Sequence, residues 1–162
     1  MKPKKSTYTV EEAKGRMEYY CAYQDRCHKE VEHKLSEYGM IQEARDHIIL
    51  HLIQNDYLNE ERFSRSYARG KFKMSKWGII RIKRELQMKD ISPINIKNGL
   101  SEIDENEYEE VLFKLAQNKY ESTRETHRFK KRKKVADFLL RKGFESQKVY
   151  ALLVELENQN ED

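Results

Sequence analysis

Apolar positions along this chain follow a helical period, and one arrangement of them comes round three times. Leu35 and Gly39 recur as Leu86 and Asp90, then as Leu139 and Gly143, at offsets of 51 and 53 residues. Val31, Ile82 and Val135 stand one helical turn before each leucine, and Met40, Ile91 and Phe144 follow each turn residue. Ile49 and Leu52 correspond to Leu100 and Ile103, then to Leu153 and Leu156. A fixed period of this length means one supersecondary unit repeated. Stacked repeats build long faces rather than single deep pockets, so the pattern predicts a protein that presents surfaces.

Capping signals divide each unit into three helices. Thr9 with Glu12 makes a capping box that opens the first helix, whose seam runs Ala13, Met17, Tyr20. Asp25 is the expected N-cap of a second helix that ends before Gly39, a residue suited to the left-handed C′ position. A third helix runs over about residues 41–54. Asn59 caps the next, Glu60 and Glu61 favour its positive end, and Leu58 can staple to Phe63. Ser75 is the expected cap of a basic helix over about residues 76–89, and Ser92 with Pro93 supplies a cap and an N1 proline. Asp104 with Glu107 opens a helix striped by Tyr108, Val111, Leu112 and Leu115. Thr126 is the expected cap of a basic helix ending before Gly143, and Val149, Leu152, Leu153 and Leu156 close the chain. The reading is all-α, with nine helices in three triplets and no strand. The expected organisation is a basic arm (1–9), three-helix repeats at 10–56, 57–103 and 104–158, and an acidic tail (159–162).

With 38% hydrophobic and 37% charged residues, each unit can bury only a thin seam and must lean on its neighbours. The net charge of +4 says little, but its distribution says more. Residues 65–89 carry nine Lys or Arg against Glu85 alone, and residues 124–142 carry nine more against Glu125 and Asp137. Between them, residues 102–110 hold six acids and no base. Such segregation points to a polyanionic or acidic partner. There is no apolar run long enough for a bilayer and no secretory leader, and two cysteines make no disulfide framework; a cytoplasmic protein is expected.

On the middle basic helix, Ile79, Ile82 and Leu86 form the inward seam, while Trp77, Ile80, Arg81 and Arg84 share an outward stripe at i, i+3, i+4, i+7 spacing. Arg and Trp are the side chains most enriched at interface hot spots. Trp77 has a second reading, packed into the junction with the next repeat. Gly78 weakens a helix start and allows a close backbone approach. Arg69, Lys71, Lys73, Lys76 and Lys83 extend the positive surface. Lys130, Lys131, Arg132, Lys133 and Lys134 cannot all face one way and make a broad field suited to phosphates or carboxylates. Phe129 is assigned to the core in preference to base stacking. Cys21, Cys27, His47 and His51 miss zinc-finger spacing, so no metal is expected. No glycine-rich phosphate loop, nucleophile elbow or isolated carboxylate is present, so neither catalysis nor a cofactor is expected.

The run Leu58-Asn59-Glu60-Glu61-Arg62-Phe63 resembles the leucine–(Asn/Asp)–acid–acid–Arg–Phe signature of the RecX family. Lys76, Gly78, Arg81, Ile82, Glu85 and Leu86 are similar to that family's Arg-Ile-x-x-Glu-Leu helix and its entry. Arg141-Lys142-Gly143-Phe144 resembles the end of its third-repeat helix. Trp77 stands where the family has a smaller polar residue, and Asp90 where it has glycine. The resemblance implies three tandem three-helix repeats in an elongated, curved, monomeric chain. It implies a non-enzymatic regulator of the RecA recombinase in recombination, repair and the SOS response. Such a regulator binds the RecA–single-stranded-DNA filament, and bare DNA only weakly, and limits filament extension, ATP hydrolysis and strand exchange. The competing class is a free-standing nucleic-acid-binding helical module.

Overall fold

The computed structural model describes residues 8–160; most of the expected basic arm and the last two residues of the acidic tail lie outside them. Among the described residues there are nine α-helices and no strand. They are α1 (Val10–Tyr23), α2 (His28–Glu37), α3 (Gln42–Gln54), α4 (Glu60–Lys73), α5 (Ile79–Met88), α6 (Pro93–Leu100), α7 (Glu105–Ser122), α8 (Arg128–Lys142) and α9 (Ser146–Gln159). The architecture is an all-α repeat fold.

The threefold pattern is a helix terminator used three times. Gly39, Asp90 and Gly143 all take left-handed backbone, with φ of 75°, 58° and 101°. The N–H groups of Met40, Ile91 and Phe144 donate to the carbonyls of Leu35, Leu86 and Leu139 at 3.0, 3.1 and 3.2 Å. The turn residues themselves donate to Ser36, Gln87 and Leu140, each at 3.0 Å. This pairing of long and short bonds is a Schellman motif, and the apolar contact that accompanies it joins the leucine to the residue after the turn. All three leucines are fully buried, as are Val31, Ile82 and Val135. The third helices are less uniform: Leu52, Leu153 and Leu156 are buried, whereas Ile49 and Leu100 are only partly so. Ile103 lies beyond the end of α6.

The chain forms two compact units, one of residues 1–66 with 86–99 and one of residues 67–85 with 100–162. In the first, α1, α2 and α3 close over Ala13, Met17, Cys21, Val31, Leu35, Ile48 and Leu52. Burial pushes the thiols of Cys21 and Cys27 up to about 11, so both are inert neutral side chains. Asn59 caps α4 as expected, its Oδ1 accepting from the Arg62 N–H at 2.9 Å. In the second unit, α7, α8 and α9 pack together, and the rings of Phe72, Tyr108 and Phe144 meet at 5.8 and 5.3 Å.

Several expected helix starts are displaced. Asp25 does not cap α2, which begins after Cys27 without a side-chain cap. Its carboxylate instead accepts from Arg62 Nε at 2.8 Å, and that ion pair outcompetes the local capping bond. Ser75 does not open α5, because Lys76 takes φ of 55° and the helix starts only at Ile79. Thr126 is replaced as cap of α8 by His127, whose Nδ1 accepts from the Lys130 N–H at 3.4 Å. Phe129 is not in the core: it is 65% exposed, on the first turn of α8 where only the opposite face is covered.

Candidate functional site

The N-terminus of α5 and the C-terminus of α8 meet end to end. Every helix start leaves N–H groups without intrahelical acceptors, and every helix end leaves carbonyls without donors. Here they satisfy one another: Gly78 N–H donates to the Lys142 carbonyl at 2.8 Å and Ile80 N–H to the Gly143 carbonyl at 3.0 Å. Ile79 N–H donates to the Tyr108 hydroxyl at 3.2 Å, and that hydroxyl donates in turn to the Glu145 carboxylate. Burial, then the bond to Glu145, holds the Tyr108 phenol well above its ordinary range, so it stays protonated. Lys142 Nζ closes the junction on the Ser75 carbonyl at 3.1 Å. The partial positive charge at the start of α5 faces the partial negative charge at the end of α8, which makes this head-to-tail arrangement favourable.

Only glycine permits it. A Cβ on Gly78 would stand 2.3 Å from the Gly143 carbonyl carbon, and one on Gly143 would stand 2.3 Å from Arg81 Cβ. The close approach that Gly78 allows is therefore to the Gly143 turn.

Beside this junction lies an open groove of about 780 Å³ lined by Arg81, Arg84, Glu85, Asp137, Leu140, Arg141 and Gly143. Trp77 precedes α5 and does not share a helical stripe with Arg81; the two meet because the guanidinium lies over the indole, 4.0 Å from its centroid. Lys71 Nζ approaches the same ring at 4.8 Å. Such stacking fixes a long cationic side chain that would otherwise lose rotamer entropy on binding. Arg81 also donates to the Arg141 carbonyl at 3.3 Å. Asp137 is held by Lys133 at 2.9 Å, leaving Glu85 as the groove's remaining carboxylate against three arginines. The groove is net positive.

The expected site residues therefore separate into two sets. Lys71, Trp77, Arg81 and Arg84 gather at or beside the groove, and Lys73, Lys76 and Lys83 are exposed near it in sequence. Arg69 pairs with Glu102 at 3.3 Å. The block on α8 is largely occupied. Lys131 lies over the Tyr120 ring at 4.0 Å, and Lys134 pairs with Glu125 at 3.2 Å. Arg132 grips buried Glu157 with Nε at 2.7 Å and Nη2 at 2.5 Å, and this pair draws the Glu157 carboxyl below its ordinary value. Lys130 remains exposed, engaged through its backbone. Arg141 and Asp137 are groove residues outside the expected set; the signal was the Arg141-Lys142-Gly143-Phe144 end, where α8 terminates against α5.

Residues 59–100 match the family model of the second three-helix domain of RecX, and residues 106–153 match that of the third. These matches span more than half of the chain, and both sides of the groove fall inside them. The chain belongs to the RecX family. Regulatory protein RecX of Bacillus cytotoxicus is 27% identical over 143 residues, covering 88% of this chain and 53% of that protein. Regulatory protein RecX of Lactococcus lactis is 31% identical over 129 residues, covering 78% of this chain and 48% of that protein. The chain thus spans about half the length of the curated relatives it matches. The crystal structure of RecX from Lactobacillus salivarius shares the fold with a TM-score of 0.79 at 26% identity, over 91% of this chain and 96% of that one. Asp90 takes the same left-handed backbone as Gly39 and Gly143. Among the described residues of this RecX-family chain, no helix is long and apolar enough to cross a membrane, and no cluster of His, Cys, Asp and Glu is arranged to hold a metal.

Proposed function

We propose that this chain is a non-catalytic regulator of the RecA recombinase, acting in recombination and repair. It binds the RecA–single-stranded-DNA filament and limits filament extension, ATP hydrolysis and strand exchange. It does so as a cytoplasmic monomer of three repeats, at 10–56, 57–103 and 104–158. Family membership supports the regulatory role, since relatives carry the name regulatory protein RecX. The observation that carries the contact assignment is the arginine groove, where Arg81, Arg84 and Arg141 face a single unpaired carboxylate. Arg81 is preset on Trp77, so a polyanionic or acidic surface of the filament meets an ordered guanidinium. Lys73, Lys76, Lys83 and Lys130 are exposed cations that extend this surface, and Lys131 to Lys134 contribute field more than direct contacts.

Strand-exchange and ATPase assays with the cognate recombinase test the reading. Arg81→Glu with Arg84→Glu is expected to abolish inhibition without changing helicity, and Trp77→Ala to weaken it by roughly 5-fold through loss of the preset Arg81. Full inhibition by the double variant would remove the groove from the mechanism. Tight, sequence-selective binding to bare DNA without recombinase would instead favour an independent nucleic-acid-binding module.

A further inference from the structure

The first unit holds a second groove, of about 680 Å³, that none of the basic blocks contributes to. Its walls are the tyrosines of α1 and Tyr38, the C-cap of α2. Tyr19 and Tyr23, one turn apart, leave 74% and 73% of their surface in solvent, while Tyr20 and Tyr38 are partly covered. Large aromatic rings this exposed are an uncommon use of apolar area on a chain so rich in charge. The Tyr19 and Tyr23 rings are stacked with centroids 6.5 Å apart and planes 28° from parallel. That separation is close to two steps of a stacked strand, at about 3.4 Å per nucleotide.

Cations are interleaved with the rings. Arg26 lies 3.8 Å over Tyr20 and is anchored by its Nε donating to the Tyr20 carbonyl at 3.1 Å. Arg16 lies 4.3 Å over Tyr8, and Lys34 reaches the Tyr20 ring at 5.7 Å. Glu12, the one carboxylate among the lining residues, is engaged in the capping box with Thr9. The floor of the groove contains Gly15, in the middle of α1, where glycine weakens a helix. A Cβ there would meet nothing within 4 Å, so packing does not demand the glycine. What its missing side chain does is keep the floor clear one turn below Tyr19.

We propose that this tyrosine groove is a stacking platform for a few nucleotides of single-stranded nucleic acid. Rings offer their faces to any base, and Arg16, Arg26 and Lys34 neutralise the backbone that links the bases. An acidic peptide would use the cations and leave the two outward rings without a role. The platform is independent of the arginine groove and of any recombinase, so it stands or falls separately from the regulatory reading.

The test uses the full chain without recombinase, and fluorescence anisotropy with a labelled oligothymidylate and an abasic oligomer of equal length. The expected result is tighter binding of the oligothymidylate by about 10-fold or more, since stacking needs bases. Tyr19→Ala with Tyr23→Ala should bring the two affinities together while leaving the salt slope unchanged, and Tyr19→Phe with Tyr23→Phe should restore the difference. Gly15→Leu should also close the difference while raising thermal stability, which separates a blocked floor from a damaged fold. Arg81→Glu with Arg84→Glu should leave the difference intact. Equal affinity of the wild-type chain for both oligomers overturns the proposal, as does a difference that survives the double alanine variant. Displacement of the oligothymidylate by an acidic peptide whose own binding ignores the tyrosine substitutions overturns it in favour of a peptide site.

Discussion

The Ile80 amide donates to the carbonyl of Gly143, so the start of one helix is completed by the end of another more than sixty residues later. The same junction presses the Gly78 backbone against Gly143 so closely that no side chain fits between them.

Gly78→Ala is accordingly expected to destabilise the chain by about 2–3 kcal/mol, the cost of forcing backbone apart in a packed contact. Gly70→Ala is the control: it lies within α4 with open space around it, and should stabilise by about 0.5–1 kcal/mol. Urea unfolding of the two variants reads both signs. Equal behaviour would mean the junction is absent in solution.

Asp90 occupies left-handed backbone at the second of the three terminators, where its two counterparts are glycines. Its contact with Lys29, at 3.6 Å between exposed side chains, offsets little of that strain. Asp90→Gly is therefore expected to raise stability by about 0.5–1 kcal/mol. A thermal melt that shows no gain would mean the turn tolerates aspartate without strain.

Glu157 is nearly enclosed in the second unit, with Arg132 and Arg128 as its partners. Its bond to Arg132, then the attraction of that charge, depresses its folded-state pKa. A depressed carboxyl contributes stability above its unfolded value, near 4.3, and loses that contribution as pH falls through the folded value. Urea stability is expected to drop on acidification below about pH 4. Glu157→Gln should be less stable at pH 7 and show a shallower fall. A parallel acid profile in that variant would assign the acid sensitivity to other carboxylates.

The repeat and its terminators were legible because each is local: leucine, turn residue and following apolar residue lie within one helical end. Helix starts were less so wherever a distant partner sets them. Asp25 has the composition of a cap but is claimed by Arg62, and α5 starts four residues after its expected cap, Ser75, where Lys142 and Gly143 supply the acceptors. The stripe that placed Trp77 beside Arg81 gave the right pair for the wrong reason, since a cation over a ring rather than helical spacing joins them. The α8 block read as open charge because Glu157, the partner of Arg132, lies on α9, and because Glu125, although counted within the stretch, reaches Lys134 from the loop before α8. Asp137, its third partner, was only four residues from Lys133 and could have been read from an i, i+4 pairing.

The junction at Gly78 also fixes when the arginine groove can come into being during synthesis. A nascent chain emerging N-terminus first displays Arg81 and Arg84 long before Asp137 to Glu145 have left the ribosome. Until they do, the leading amides of α5 lack their acceptors and the groove lacks its far wall. The second unit cannot complete this surface piecemeal, and a truncated translation product ending within α8 would carry the arginines without the site.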